Sequence, residues 1–276
     1  MPRYNKKNVK RKGKKRGYKA KNKYRSRIPR TLQIATRRPT SISLKFVKNL
    51  IYKVNPGGAD GTNENTYLTL RANSIYNILQ QDGGIQSAGT WTPQDDLYAP
   101  GNVVNAEGWD DWRLRFQHYT VLGSRISATY APMNDSNDAR EVNEAVFYLT
   151  KSGAVGTVNG LTQAKNINKL PYTRKAAIKA GETGIGKGGS ISMNYSAKRF
   201  EGLNSVIDNA TMKGQFENPF ANAAQPLERS YFNVGICSTI PNSVLPPKGI
   251  LKIQISYIVK LTEPTSTNQV TARTLL

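Results

Sequence analysis

An all-β fold is predicted by three features of this 276-residue sequence. Apolar and polar residues alternate in most of its regular segments, which is the pattern of a strand with one buried face. Seven segments fit this pattern, an eighth is ambiguous, and the connections between them are long and very unequal. Such an arrangement favours an eight-stranded jelly roll, two packed antiparallel sheets, over an up-and-down barrel with short turns. The jelly roll is predicted for residues 39–276, as one domain, after a disordered basic arm at residues 1–38.

The first predicted strand covers residues 42–54, where the even positions are mostly apolar and the odd positions mostly polar. A turn sequence at residues 55–58 ends this strand. A second strand covers residues 66–72, with a continuation as far as Leu79 left open. Residues 81–104 are rich in Gly, Pro, Asp and Asn and are predicted to form one long loop. A loop of that length inside a domain is usually functional or lies at an interface.

The middle of the chain is predicted to contain a short helix and a bulged strand. An aromatic stripe with spacings of three, four and three residues fits one face of a helix that packs on the core. The strand that follows covers residues 119–131, and its alternation shifts by one position at Gly123-Ser124, which indicates a β-bulge. The members of the aromatic stripe are Trp109, Trp112, Phe116 and Tyr119.

The second half of the chain supplies the remaining predicted elements. A short helix is expected near residues 162–168, and residues 173–180 fit either a helix or an edge strand. Alternating or apolar patterns predict the other strands, which cover residues 145–150, 191–197, 232–236 and 251–261. The last of these has the clearest pattern, with six consecutive apolar members on one face.

The N-terminal arm contains 17 Lys and Arg and no acidic residue, whereas residues 39–276 contain 23 basic and 18 acidic residues. Low hydrophobicity with high net charge predicts a segment that is disordered when free. Such a segment can neutralise phosphates with strong, salt-sensitive and sequence-independent affinity. The predicted nucleic-acid-binding residues are Arg3, Lys6, Lys7, Lys10, Arg11, Lys12, Lys14, Lys15, Arg16, Lys19, Lys21, Lys23, Arg25, Arg27, Arg30, Arg37 and Arg38.

Part of the arm also has the composition of a nuclear localisation signal. A solubilising tail or a localisation signal alone is the alternative interpretation of the arm, although import and nucleic-acid binding are compatible. Three interspersed tyrosines add the capacity to stack on bases of a single strand. The predicted signal comprises Lys10, Arg11, Lys12, Lys14, Lys15 and Arg16.

The composition argues against several other classes of protein. No apolar run approaches the roughly 20 residues that span a bilayer, and the N-terminus lacks the apolar core of a signal peptide. A single cysteine, Cys237, excludes an intrachain disulfide and a cysteine-based zinc site. With a single histidine, His118, the chain is expected to hold no transition metal and no cofactor.

Three candidate catalytic or binding motifs are weak, and we expect no enzymatic activity. Residues 181–187 match the start of a phosphate-binding loop, but Gly188 stands where Ser or Thr is needed, and a strand is predicted to follow. A surface hairpin is the better interpretation. His118 has no identifiable nucleophile to activate. An acidic cluster could ligate calcium but is better explained as a solvated loop; it consists of Asp135, Asp138, Glu141 and Glu144.

The order of these parts resembles the capsid proteins of small circular single-stranded DNA viruses, circovirus-like in the broad sense. The resemblance covers most of the chain loosely, and the arm mixes Lys with Arg more than the most Arg-rich members do. No cysteine cluster of the kind found in some related plant-virus coats is present. The local features that carry the resemblance are the aromatic segment running into residues 119–126, Leu170-Pro171-Tyr172 before a basic patch, Asn218-Pro219, Tyr231-Phe232-Asn233-Val234, and the closing Ile255-Ser256-Tyr257-Ile258-Val259.

The resemblance implies a jelly-roll protein that assembles with copies of itself into an icosahedral shell, with the arm inside on a single-stranded DNA genome. Sixty copies, the smallest icosahedral number, would carry about 1,020 arm charges, enough to neutralise on the order of a thousand nucleotides. The implied locations are the virion and, during infection, the host nucleus, reached through import receptors, with no membrane partner. Two alternatives stay open: a cellular or organellar nucleic-acid binder of the ribosomal type, and the coat protein of a small RNA virus.

Overall fold

The computed structural model describes residues 40–56, 65–81, 84–85, 87–88, 90–93, 103–133, 144–154, 164–180, 186–216, 225–239 and 245–265. All of these belong to one unit of the chain, Pro39–Leu276. Strands dominate the described residues, and the few helices are short. No helix in these segments is long and apolar enough to cross a membrane.

The strands and helices have the following bounds. The strands are β1 (Ser41–Asn55), β2 (Asn65–Arg71), β3 (Gln80–Gln81), β4 (Gly84–Ile85), β5 (Ser87–Ala88), β6 (Thr90–Pro93), β7 (Phe116–Pro132), β8 (Glu144–Ser152), β9 (Thr173–Lys179), β10 (Gly189–Ser196), β11 (Lys213–Gln215), β12 (Tyr231–Ser238) and β13 (Gly249–Pro264). The helices are α1 (Trp109–Arg113), α2 (Ala164–Lys169) and α3 (Ala197–Phe200), with a 3₁₀ turn at Ala210–Met212.

Eight of the described strands have seven or more residues, and they form two antiparallel sheets. The first sheet has the order β10-β7-β13-β1-β6, with β11 paired to β7, and the second has the order β5-β2-β12-β8-β9. The chain therefore crosses repeatedly between the sheets, and its first and last long strands, β1 and β13, lie side by side. Two packed antiparallel sheets with eight long strands in this order are a jelly roll. The predicted fold class is confirmed.

The core lies between the two sheets and is built from the inward face of each alternating strand. β13 shows this most clearly, because the six apolar residues of its predicted face are all 2% exposed or less. Burial of a side chain of this size stabilises a fold by roughly 1.5–3 kcal/mol relative to its exposure. The six residues are Leu251, Ile253, Ile255, Tyr257, Val259 and Leu261.

In the second sheet, β2 and β12 are buried on both faces rather than on one. Ile167 of α2 packs on the outward side with Tyr67, Tyr148 and Cys237, which form a second, smaller apolar cluster. Helix α2 agrees with the helix predicted near residues 162–168. Period-two alternation identifies the face of β2 that packs on the core. It gives no sign that the opposite face is covered as well.

The predicted aromatic helix is wrong in its extent. Helix α1 ends at Arg113, and Phe116 and Tyr119 belong to β7, where they pair with residues of β13. The rings still meet, because the ring centroids of Trp109 and Tyr119 lie 5.6 Å apart. The spacing that resembled a helical stripe therefore arises from a core cluster shared by a helix and a strand.

The predictions for residues 72–104 are also partly wrong. β2 does not continue to Leu79, because the chain turns back after Arg71, whose backbone N–H donates to the carbonyl of Ile78. The predicted loop at residues 81–104 contains short strands, of which β6 pairs with the end of β1. Trp91 of β6 is buried against Tyr52, and this long-range contact holds the segment in the sheet.

Two further expectations are confirmed by strand pairing. Val121 of β7 pairs with Val259 and Gly123 pairs with Ile258, so Leu122 is an extra residue on β7. The predicted β-bulge is therefore present, at Leu122 rather than at Gly123-Ser124, a displacement of one residue. Residues 173–180, predicted as a helix or an edge strand, contain β9, which lies at the edge of the second sheet.

Candidate nucleic-acid interface

Residues 1–38, the arm predicted to bind nucleic acid, lie outside the described residues. None of its 17 predicted phosphate contacts and none of its six predicted localisation residues is therefore placed by the structure. The structure does show that β1, the strand that begins at Ser41 shortly after the arm, lies inside the first sheet between β13 and β6.

The outward face of the first sheet is strongly basic. β1, β7, β10 and β13 alternate between buried apolar residues and outward residues. Most of the outward residues are small, polar or cationic, but Ile51 and Ile258 are exposed on the same face. Glu263, the one acidic residue in these four strands, lies at the end of β13, where its Oε2 is 3.0 Å from Nδ1 of His118. The five cations of this basic sheet face are Lys45, Lys53, Arg125, Lys252 and Lys260.

The strand register brings four of these cations together in two pairs. Lys53 pairs with Ile250 and Lys252 pairs with Ile51, so the two lysines are diagonal neighbours, typically about 7–8 Å apart. Lys45 and Lys260 are related in the same way at the other end of the sheet. Like charges at such positions repel each other, and a bound polyanion relieves that repulsion. The face is therefore suited to a chain of phosphates.

Between its cations, the basic sheet face also supplies hydrogen-bonding groups. Nε2 of Gln254 donates to Oδ1 of Asn49 over 3.0 Å, and Oγ1 of Thr129 donates to Oγ of Ser190 over 3.0 Å. Hydroxyl and amide groups contact phosphate and sugar oxygens without reading sequence. This composition favours binding without base specificity.

A second basic region lies in the stretch from residue 145 to residue 200, which contains nine Lys and Arg and one acidic residue, Glu182. The near-neutral total charge of residues 39–276 thus conceals a separation of charge within them. Sequence counts over a shorter window would have detected it.

An acidic cleft beside α1 is a poor site for a polyanion. Its volume is about 380 Å³, and its lining includes Lys48 together with Glu107, Asp110 and Asp111. Asp110 also forms an ion pair of 3.2 Å with Arg113. Three carboxylates in its lining repel phosphate, so this cleft is unsuited to a nucleic-acid backbone.

The phosphate-loop-like segment and the acidic cluster predicted from the sequence are only partly described by the structure. Lys187 forms an antiparallel bridge with Lys179, and strand β10 rather than a helix follows it, so the setting of a phosphate-binding loop is missing. Residues 181–185 lie outside the described part of the chain, as do Asp135, Asp138 and Glu141. Glu144 forms an ion pair of 3.4 Å with Lys179. No cluster of potential metal ligands occurs among the described residues.

The strand order and the basic sheet face define the chain as a jelly-roll protein with an outward cationic surface. No protein-family model and no curated protein matches its sequence. Among solved structures, the 60-mer capsid protein of BFDV is 9% identical, with a TM-score of 0.39 over 83% of this chain and 98% of that chain.

Two plant-virus structures are similar at the same level. The tobacco necrosis virus structure is 11% identical, with a TM-score of 0.36 over 83% of this chain and 99% of that chain. The structure of empty turnip yellow mosaic virus is 10% identical, with a TM-score of 0.35 over 84% of this chain and 86% of that chain. These likenesses are distant, and the strand order itself, rather than any of them, defines the fold.

Proposed function

We propose that this protein is a viral coat protein that assembles into a closed shell and packages single-stranded DNA through residues 1–38. The observation that carries the proposal is the charge distribution: 17 cations and no acid lead directly into the first strand of a jelly roll. The jelly roll is a fold that viral capsid domains use, which is support by analogy at the level of the fold.

The basic sheet face strengthens the proposal. It belongs to the sheet that contains β1, and it provides phosphate contacts of the same sequence-independent kind as those expected of the arm. A single-stranded genome would then have phosphate contacts in the folded body in addition to those expected of the arm. The proposed copy number of sixty and the proposed routes through the host nucleus rest on the arm composition and on the resemblance described above.

Other uses of the jelly roll fit these residues less well. Cupin-type metal sites need several histidines, whereas this chain has one. A ribosomal-type nucleic-acid binder remains the alternative from a different class, and the basic sheet face is compatible with it. The coat of a small RNA virus is the alternative within the same class, since phosphate contacts do not distinguish RNA from DNA at these positions.

Electron microscopy of the full-length protein, purified without denaturant, tests the proposal together with the 260/280 absorbance ratio of the same fraction. We expect uniform closed particles with a nucleic-acid-rich ratio, and nuclease digestion of the extracted nucleic acid identifies DNA or RNA. Small soluble species that carry nucleic acid would contradict the coat function and support the ribosomal-type alternative.

A matched variant tests the role of the arm. Replacement of Lys10, Arg11, Lys12, Lys14, Lys15 and Arg16 by Gln preserves the arm length and removes six charges. We expect particles with a lower 260/280 ratio, because fewer phosphates are neutralised. An unchanged ratio would overturn packaging by the arm.

A further inference from the structure

Tyr172 is the one described tyrosine with a largely exposed side chain, at 64% exposure, and its backbone is held in an unusual conformation. Its φ angle is +55°, in the left-handed region that residues other than glycine seldom adopt. Such a conformation persists only where the surrounding structure enforces it, and it is common at functional positions.

The turn that carries Tyr172 is anchored on both sides. The carbonyl of Pro171 accepts hydrogen bonds from Oγ1 of Thr150 over 3.2 Å and from Oγ1 of Thr173 over 3.3 Å. Leu170 packs against the apolar cluster of Tyr67, Tyr148, Ile167 and Cys237. The ring of Tyr172 therefore projects from a fixed support, which lowers the entropy lost when a ligand stacks on it.

A lysine and a second ring position the Tyr172 side chain. Nζ of Lys151 lies 5.1 Å from the Tyr172 ring centroid and 5.2 Å from that of Phe200, within cation–π range. The same Nζ donates to the carbonyl of Asn194 over 3.1 Å. Desolvation by burial lowers the pKa of Lys151, in line with this partly enclosed position. The Tyr172 and Phe200 rings meet edge to face, with centroids 5.7 Å apart.

The surroundings of Tyr172 are cationic. Exposed Arg174 and Lys175 follow it on β9, and exposed Lys198 and Arg199 directly precede Phe200. An apolar peptide would find few apolar neighbours here, and a second copy of this surface would bring like charge against like charge. A polyanion that also carries flat aromatic groups satisfies both the ring and the cations. Single-stranded nucleic acid has that chemistry.

We propose that Tyr172, backed by Lys151 and Phe200, is a base-stacking site for single-stranded nucleic acid, with Arg174, Lys175, Lys198 and Arg199 as its phosphate contacts. Lys151 and Phe200 contact the Tyr172 ring, and most of the Tyr172 side chain stays exposed, so a base can stack on it. The inference deepens the proposed function, because it rests on nucleic-acid binding by the same protein and adds a contact in the folded body to the contacts of the arm.

Photo-crosslinking of the full-length protein tests this site. The probe is a short oligothymidylate that carries 5-iodouracil, and adducts are located by peptide mass spectrometry. We expect an adduct on Tyr172 in addition to any in the arm. Adducts confined to the arm would overturn the proposal.

A second measurement separates base stacking from charge. The affinities of the full-length protein for oligothymidylate and for an abasic oligomer of equal length are compared in wild type, Tyr172→Leu and Tyr172→Phe. Stacking on an aromatic side chain contributes roughly 1–3 kcal/mol per base, so Tyr172→Leu should reduce the preference for the base-bearing oligomer by about 5- to 150-fold. Tyr172→Phe should preserve it, and the arm contributes equally in all three proteins.

The other outcomes identify what the surface does instead. If Tyr172→Leu weakens both oligomers equally, the surface is a site for polyanions without bases, and if it changes only particle assembly, the surface is a contact between subunits. Either result would overturn the stacking site. The proposed coat function fails by a different readout, the absence of closed particles, so the two failures are distinguishable.

Discussion

Gly214 illustrates how tightly single residues are packed around the buried tyrosines. In β11 the backbone of Gly214 lies against the ring of Tyr119, and a Cβ at this position would overlap Cζ, Cε1 and the hydroxyl oxygen of that ring. The ring has no room to move, since Tyr119 is fully buried and its hydroxyl is hydrogen-bonded to Oγ of Ser74 at 2.8 Å. Glycine is required here for close approach.

Gly214→Ala is therefore expected to destabilise the protein. Overpacking of a close-packed core typically costs about 1–3 kcal/mol, and the melting temperature should fall by roughly 2–4 °C per kcal/mol. Gly153→Ala is the matched control, because a Cβ there meets nothing within 4 Å. Thermal melts of both variants check this, and equal melting temperatures would contradict the packing argument.

The buried tyrosines also predict a loss of stability at alkaline pH. Burial raises the pKa of Tyr119, Tyr148 and Tyr257 above the ordinary tyrosine value. Above about pH 10 the unfolded chain releases these phenolic protons while the folded protein retains them, so rising pH favours unfolding. Each such tyrosine should lower the free energy of unfolding by about 1.4 kcal/mol per pH unit in that range.

Denaturant unfolding at a series of alkaline pH values measures this slope. Tyr257→Phe removes one of the titrating groups together with its hydrogen bond to the carbonyl of Arg71. We expect this variant to be less stable at neutral pH but to have a shallower alkaline slope than wild type. An identical slope would show that the tyrosine does not contribute.

At the scale of elements, strand register creates the basic sheet face. Arg125 on β7 and Lys252 on β13 are far apart in the sequence, but both project outward from neighbouring strands because β13 pairs with β7 as well as with β1. A strand exposes every second residue, so the face is set jointly by the alternation in each strand and by the pairing between strands.

Replacement of both Arg125 and Lys252 by Gln is expected to weaken binding of single-stranded nucleic acid and to reduce its salt dependence. On single strands each phosphate contact contributes about 0.7 to the slope of log affinity against log salt, so the slope should decrease in magnitude by about 1.4. Affinity measured over a range of salt concentrations checks this prediction.

The control for this pair is replacement of Arg113 and Arg115 by Gln, which removes the same charge beside the acidic residues Asp110 and Asp111. Arg113 forms an ion pair with Asp110, and Cζ of Arg115 lies 5.3 Å from the centroid of the Trp112 ring, so both arginines are poor phosphate ligands. Their replacement should leave the salt slope unchanged. A similar decrease in both double variants would indicate an effect of net charge rather than of the sheet face.

At the scale of the whole molecule, the charge distribution predicts two parts with different functions. Residues 1–38 are expected to package nucleic acid, and residues 39–276 to form the folded body. Deletion of residues 1–38 removes 17 of the 40 Lys and Arg but none of the described strands. We expect a folded, soluble body with a cooperative thermal transition that no longer packages nucleic acid. Unfolding of the truncated protein would contradict the division into arm and body.

Much of this organisation follows from the sequence alone, because it depends on local patterns. The alternation in β1 and β13 identifies their buried faces, and the bulge near Gly123 is visible as a one-residue shift in the pattern. The number of long strands and their unequal connections were sufficient to predict the jelly roll. Composition in turn predicts a basic arm at residues 1–38, since a count of charges requires no knowledge of neighbours in space.

Other features of the protein depend on contacts between residues that are distant in the chain, and these features follow from the tertiary structure. Pairing with β13 converted the end of an apparent helix into strand, and Ile167 of α2 packs with Tyr67 on the second face of β2. The proposed stacking site arises in the same way, because Lys151, Tyr172 and Phe200 meet only through strand pairing and the turn at Pro171. Periodicity records which face of an element is apolar, whereas the partner of that face is set by long-range contacts that no local pattern encodes.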